Sequence, residues 1–346
     1  MLNRRTHIKL RQLALIVVSW LFIGILIALY DHLVLHTTNS AGPAAGYSFT
    51  KSLVVNMIAG LIGALLGGSL IVFYVNDKFQ DKPYGYTILA VTLSFVGVVL
   101  IVTVVLGVVA NPDKARMLKN GLVWAVVVAV TQLLMQINSK FGPGVFWNII
   151  RGRYNTPREE RRIFMFLDLN SSTTIAEKLG DKKYHAFLKD LFTDITNPIL
   201  DSRGEIYQYV GDEVIVAWKY EEGVANSKCI QCFFDIKLHL ERLKSKYLGR
   251  YGVMPVFKAG IHSGKVVAGE VGIIKRDITY SGDVLNTTSR IQGLCKEYNA
   301  EVIASGDLMA ELRLNGHFEA KALGSIKLRG KEKEMALVAL RPSAVA

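Results

Sequence analysis

Cysteine is scarce: Cys229, Cys232 and Cys295 are the only three in 346 residues, too few and too unevenly spaced to staple a disulfide scaffold. They fit a reducing, cytosolic setting for the second half of the chain. Cys229 and Cys232 form a CxxC, but it falls in a helical pattern from Ala225 to Leu243 with no second pair. That reads as buried helix cysteines rather than a zinc or redox site. Histidine is as thin in the apolar half. His32 and His36 lie four apart at the end of one apolar segment, and no other segment carries a histidine to complete a haem or metal pair, so they read as an interfacial pair. The apolar segments also lack the charged midplane of a transporter. No long basic helix or aromatic-basic motif is present, so the formal charge of +12 does not point to nucleic acid.

What is present is segregated. A mean hydropathy of +0.29 is high for a soluble domain, and the long apolar runs all precede about Ile137. Four segments, about 13–35, 53–75, 86–110 and 121–137, have the length and composition of membrane spans. The first is too long for a removable signal peptide and lacks a small-residue cleavage pattern. Arg4, Arg5, Lys9 and Arg11 precede the first span and Lys140, Arg151, Arg153, Arg158, Arg161 and Arg162 follow the fourth, which predicts an inner-membrane protein with both ends cytoplasmic. Lys114, Arg116 and Lys119, in the loop before the fourth span, argue the other way. Cations flanking the spans also attract anionic headgroups of the bilayer. Gly63 and Gly67 give the second span a face that a helix of the same chain or of another could approach. Asn56 and Gln132 read as interhelical hydrogen-bonding residues. The joint at 138–160 contains Gly142-Pro143-Gly144, which breaks the helix, and an amphipathic stretch from Val145 to Ile150. It is either a bland linker or a relay.

In the second half, Ile163 to Leu167 is an apolar run of strand length that delivers Asp168 just before the helix-capping types Asn170 to Thr174. Glu205 to Val210 and Val214 to Trp218 read as a hairpin with Asp212 at its tip. An acid after a strand reads equally well as a solvated turn residue. A pair brought together in one sheet could hold one or two Mg²⁺. Helical patterns at 175–201 and onward to about Tyr247 follow, then a strand at 256–262 expected to turn at Ser263-Gly264 into a second at 265–271. A helix carrying Asn286 and Arg290 comes next. The order predicts an α+β sheet with helices on one face.

Five blocks carry a resemblance: Phe166 to Leu169, Tyr209 to Glu213, Ala259 to Gly264, Gly282 to Arg290 and Ile326 to Gly330. In this order they resemble the catalytic domain of class III nucleotidyl cyclases, over 161–346. The apolar segments predict an all-α transmembrane four-helix bundle (1–137) followed by a joint (138–160), and to these the resemblance adds an α+β ferredoxin-like catalytic domain. It implies an adenylate cyclase that converts ATP to 3′,5′-cyclic AMP and pyrophosphate at a homodimer interface. Asp168, Asp212 and the Leu169 carbonyl would hold two Mg²⁺ or Mn²⁺ ions, and the amides of Asn170, Ser171, Ser172 and Thr173 would meet phosphate oxygens. Asn286 would orient the ribose and Arg290 would stabilise charge at the α-phosphate. Lys258 and Arg329 match positions that contact the β- and γ-phosphates, with Lys327, Lys331 and Lys333 crowding Arg329. The base would be read by Gln208 and Thr279. Thr279 fits the adenylyl pattern, whereas the Gln208 amide fits neither pattern and can face adenine or guanine by flipping. Ser171 stands where the family usually has glycine. Metal acids would come from one chain and Asn286, Arg290 and the base contacts from its partner, leaving the membrane domain free to respond to a ligand of its own. The alternatives are a guanylate or dual-specificity cyclase, a diguanylate cyclase on the strength of the Val210-Gly211-Asp212-Glu213 hairpin, and a catalytically degenerate membrane receptor.

Overall fold

A computed structural model describes residues 4–35, 48–75, 78–79, 82–83, 85–97, 114–141, 151–274, 276–314 and 318–343. It distinguishes two compact units, one within 6–151 and one within 152–346.

In the first unit, helix α1 (Arg4–Tyr30) continues through a π-turn at Asp31–Leu35, and α2 (Phe49–Gly63) continues through wider turns to Val75. A short apolar helix α3 covers Gly85–Gly97, and α4 runs Lys114–Phe141. Among the described residues, three helices, Arg4–Leu33, Phe49–Val75 and Leu118–Asn138, are long and apolar enough to cross a membrane. The expected third span is described only to residue 97. His36, the Gly-Pro-Gly break and the stretch 145–150 also lie outside the described residues.

Glycine decides how α1 and α2 meet. A Cβ on Gly24 would lie 2.7 Å from the Asn56 carbonyl oxygen, and one on Gly60 would lie 2.8 Å from that of Trp20, so both positions require the missing side chain. Gly63 gives room to the Trp20 ring. The small face of the second span is therefore used inside the unit. Trp20 donates its indole N–H to Thr131 on α4 at 3.0 Å and packs on Trp124 at 5.6 Å.

Asn120 donates to Asn56 across two helices at 3.4 Å. Gln132 differs from the expectation: it is fully buried, and among the described residues neither of its side-chain polar atoms has a partner. Lys119 is also not a free loop cation. It lies within α4 and pairs with Asp31, which is 1% exposed, so its charge is met by the protein.

The second unit is built on an eight-stranded sheet of order β2-β3-β1-β4-β6-β8-β7, with β5 on β4. The strands are β1 Arg158–Leu169, β2 Glu205–Val210, β3 Glu213–Lys219, β4 Phe257–Val271, β5 Asp277–Ser281, β6 Val302–Ser305, β7 Phe318–Ile326 and β8 Met335–Pro342. Between them lie α5 (Ser172–Leu179), α6 (Asp181–Asp201), α7 (Tyr220–Val224), α8 (Lys228–Arg242), α9 (Lys244–Tyr251), α10 (Asp283–Gly293) and α11 (Gly306–Glu311). The expected helix from 175 to 201 is two helices broken at Gly180, whose φ of +71° suits glycine.

The apolar run in β1 is continuous because the strand is covered on both sides. Ile163, Met165, Leu167 and Leu169 pack beneath α6, α8 and α9, while Phe164 and Phe166 join Ile215, Ala217, Val266 and Val284 on the other side. Helices therefore lie on both faces, not one: α10 occupies the second. Its contact with β4 explains another departure. The expected turn at Ser263-Gly264 is absent, and β4 is one strand paired along the whole of β1. Gly264 and Gly260 are not turn residues but points of close approach. A Cβ on Gly264 would meet Val284 at 3.1 Å, and one on Gly260 would lie 2.4 Å from the Gln292 nitrogen. Gly260→Ala is thus expected to displace α10 and cost about 1–3 kcal/mol or more, read as a lowered thermal midpoint.

Cys229 and Cys232 are buried in α8 as expected, and burial pushes the Cys229 thiol up to about 12. His262 on β4 is buried with Nδ1 2.8 Å from the Ser305 hydroxyl, and burial lowers its pKa from 6.5 to about 4. A depressed imidazole leaves the native state stable above pH 6.5 and withdraws that stability as pH falls toward 4. His262→Asn, which can keep the Nδ1 bond, is expected to remove about 3 kcal/mol of acid sensitivity in that window, measured by thermal unfolding at pH 7 and 4.5.

Candidate active site

Antiparallel pairing of β1 with β3 and β4 carries Asp168 to the end of the sheet, directly opposite Lys258 on β4. Asp212 occupies the tight β2–β3 turn beside Gly211, whose φ is +64°. The two aspartates come together. Burial first, and the Asp212 charge second, hold the Asp168 carboxyl above its usual range, while a hydrogen bond from Gln292 and the Lys258 ammonium act against the rise. Two carboxylates that repel each other in a half-buried corner are a set of hard oxygen donors suited to a divalent cation. Among the described residues, no three His, Cys, Asp or Glu side chains gather closely enough to hold a metal by themselves.

Three neighbours of this pair carry no role in the sequence reading. Glu213 follows Asp212, and burial plus the charges of Asp168 and Asp212 raise its carboxyl from 4.5 to about 7. Gln292 reaches Asp168 from α10. The Tyr184 hydroxyl from α6 is hydrogen-bonded to Ser172 and senses both aspartates. Glu213 is visible in the hairpin block, whereas the other two arrive through folding and leave no local signal.

After Asp168 the chain enters α5 through Ser171, which adopts the left-handed conformation at φ +60° and makes no side-chain cap bond. Serine thus takes a conformation that glycine adopts without cost. The first amides of α5, including those of Ser172 and Thr173, have no intrahelical acceptor, whereas the Asn170 N–H does not belong to this set because it donates to the Val256 carbonyl at 2.8 Å. Leu169 is buried by its side chain and occupies the last register position of β1.

Asn286 and Arg290 sit one turn apart on α10, Asn286 exposed and Arg290 half-buried. The Arg290 guanidinium lies over Gly330, where an added Cβ would be 3.4 Å from it. Lys331 pairs with Asp283, which also accepts from Thr287 at 3.2 Å, so Lys331 is engaged at the start of α10. Arg329 is exposed beside Gly330. Neither Asn286 nor Arg290 is among the groups that act on the Asp168 carboxyl of their own chain. Gln292 is the α10 residue aimed at Asp168, and at 3.6 residues per turn Arg290 and Asn286 lie roughly 200° and 240° around the helix from it.

Gln208 and Thr279 lie on β2 and β5. A bulge between Ile206 and Gln208 pairs Gln208 with Ile215, on the α10 side of the sheet. Thr279 pairs with Gly269. The two strands touch through their neighbours: the Tyr280 N–H donates to the Tyr207 hydroxyl at 3.2 Å, with ring centroids 4.9 Å apart.

Comparison with known proteins places this arrangement. Residues 155–341 match the family described as Adenylate and Guanylate cyclase catalytic domain. The chain is 36% identical over 222 residues to Adenylate cyclase 2 of Rhizobium meliloti (strain 1021), covering 64% of this chain and 61% of that protein. It is 31% identical over 174 residues to Adenylate cyclase 1 of the same organism, covering 48% of this chain and 25% of that protein. The chain therefore spans less than two thirds of either relative. A bacterial light-regulated adenylyl cyclase structure shares the fold with a TM-score of 0.56 at 19% identity, over 68% of this chain and 69% of that one. With the family match covering more than half of its length, this chain belongs to the class III adenylate and guanylate cyclases.

Proposed function

We propose that the chain is a membrane-anchored adenylate cyclase that forms 3′,5′-cyclic AMP and pyrophosphate from ATP. The observation that carries this reading is the Asp168–Asp212 pair beside the uncapped start of α5. Mg²⁺ or Mn²⁺ held by Asp168, Asp212 and the Leu169 carbonyl would activate the ribose 3′-hydroxyl and neutralise triphosphate charge. The amides of Ser172 and Thr173 donate to phosphate oxygens. Lys258, adjoining Asp168, and exposed Arg329 balance the β- and γ-phosphates. Asn286 orients the ribose, and Arg290 stabilises the charge that develops as the α-phosphate changes partners.

The direction of Asn286 and Arg290, away from their own aspartates, supports a head-to-tail homodimer with two equivalent composite sites. Catalysis then depends on how two chains are held, which a membrane unit joined through residues 138–160 is placed to influence. With ATP as substrate, the catalytic unit and the N-terminus face the cytoplasm, and a ligand of the membrane unit would act from within or across the bilayer.

ATP is favoured over GTP because no acid stands at Gln208 or Thr279 to accept both guanine N–H groups. A dual-specificity enzyme is the second reading, since the Gln208 amide presents a donor and an acceptor in either order. Chromatography of products after separate incubation with ATP and GTP, each with Mg²⁺ and Mn²⁺, tests this. Cyclic AMP as the main product is expected. Cyclic GMP alone would select a guanylate cyclase, and a cyclic dinucleotide made from two GTP with loss of two pyrophosphates would select a diguanylate cyclase.

A further inference from the structure

Tyr207 is the extra residue of the β2 bulge. Ile206 pairs with Val216 and faces the α6 side, while Gln208 pairs with Ile215 and faces the α10 side. In an unbroken register Gln208 would pair with Val214 and turn beneath α6, since one residue of slip reverses every side chain. The bulge is what presents the Gln208 amide. It is held open by an aromatic and ionic cluster. Tyr207 and Tyr280 each pack edge-on against Phe164, at 6.4 and 5.5 Å, and the Tyr207 hydroxyl accepts from the Tyr280 N–H. Arg162, only 2% exposed, lies 5.1 Å from the Tyr280 ring centre. It donates to Glu160 at 2.7 and 2.9 Å and to Glu205, the first residue of β2, at 3.2 Å.

One buried guanidinium thus grips both β2, through Glu205, and β5, through Tyr280, and the phenol of Tyr207 ties the same two strands one residue from Gln208 and one from Thr279. Resting on the cyclase reading, we infer that Tyr207, backed by Arg162, is a specificity-determining positioning residue: it sets the separation and direction of the two strands that read the nucleotide base. An amide that can face either base by flipping has little selectivity of its own, so the discrimination falls to whatever fixes its place. A site whose polar groups are left mispaired loses one substrate more than the other.

The test is the ratio of kcat/KM for ATP to that for GTP, measured on the full chain in membranes for the parent, Tyr207→Phe and Glu205→Gln. Tyr207→Phe keeps the ring packing and removes only the hydroxyl. The ratio is expected to change by about threefold to tenfold, the scale of one hydrogen bond. Glu205→Gln, which loosens Arg162 at a carboxylate 59% exposed, should move the ratio in the same direction. A general loss of structure would scale both substrates equally, so an unchanged ratio in both variants overturns the inference while leaving the cyclase reading intact. A parent chain that forms no cyclic product from either nucleotide overturns the cyclase reading itself.

Discussion

Asp212→Ala is expected to lower cyclic nucleotide formation by about a thousandfold or more while leaving the metal-free protein at least as stable as the parent. The two effects have one origin. In the parent, the Asp212 charge helps to raise the Asp168 carboxyl and contributes to lifting Glu213 from 4.5 to about 7. A carboxyl whose native pKa is raised contributes stability below its unfolded value and loses it as pH rises through the native one. Between pH 4.5 and 7 the raised Glu213 carboxyl therefore works progressively against folding, and removing the Asp212 charge relieves part of that repulsion. Divalent cations should raise the thermal midpoint of the parent, because a ligand that binds only the native state stabilises it. They should do so far less in the variant. Activity and stability moving in opposite directions would set the result apart from simple unfolding.

Arg290→Ala is expected to reduce kcat by about a hundredfold to a thousandfold with little change in KM, the pattern of a group that acts on charge present only in the transition state. The fold should tolerate it. The guanidinium is half-buried over Gly330, not locked in a buried ion pair, so the loss is of packing at the rim. Arg290→Lys should not restore the rate, because an ammonium cannot reproduce the planar pair of donors. Steady-state kinetics with ATP, alongside a thermal unfolding scan, check both statements.

Much of this site was legible because its signals are local. The run from Ile163 to Leu167 announces a buried strand, and Asp168 and Asp212 lie at strand ends. Asn286 and Arg290 share one helical face by spacing alone. What was illegible depends on residues far apart in the chain. Ser263-Gly264 reads as a turn, yet Gly264 exists to admit Val284, and only α10 packed on β4 reveals that. The same packing brings Gln292 to Asp168 and puts a helix on the second face of the sheet. The bulge at Tyr207 is invisible to a two-residue period, since it is defined by its partner strand. In the membrane unit, Lys119 reads as a loop cation until Asp31, 88 positions away, is found beside it. Gln132 shows the opposite failure: a polar residue in a span invites an interhelical bond, and the described residues supply none.

Catalysis by the proposed site requires that it draw its aspartates from one chain and Asn286 and Arg290 from another. Co-expressing the Asp212→Ala and Arg290→Ala variants in one membrane tests this directly. Each mixed dimer would contain one doubly damaged site and one intact site, so activity should return to about a quarter of the parent level if the chains pair at random. A co-purifying, folded mixture that stays as inactive as either variant alone would contradict the shared site.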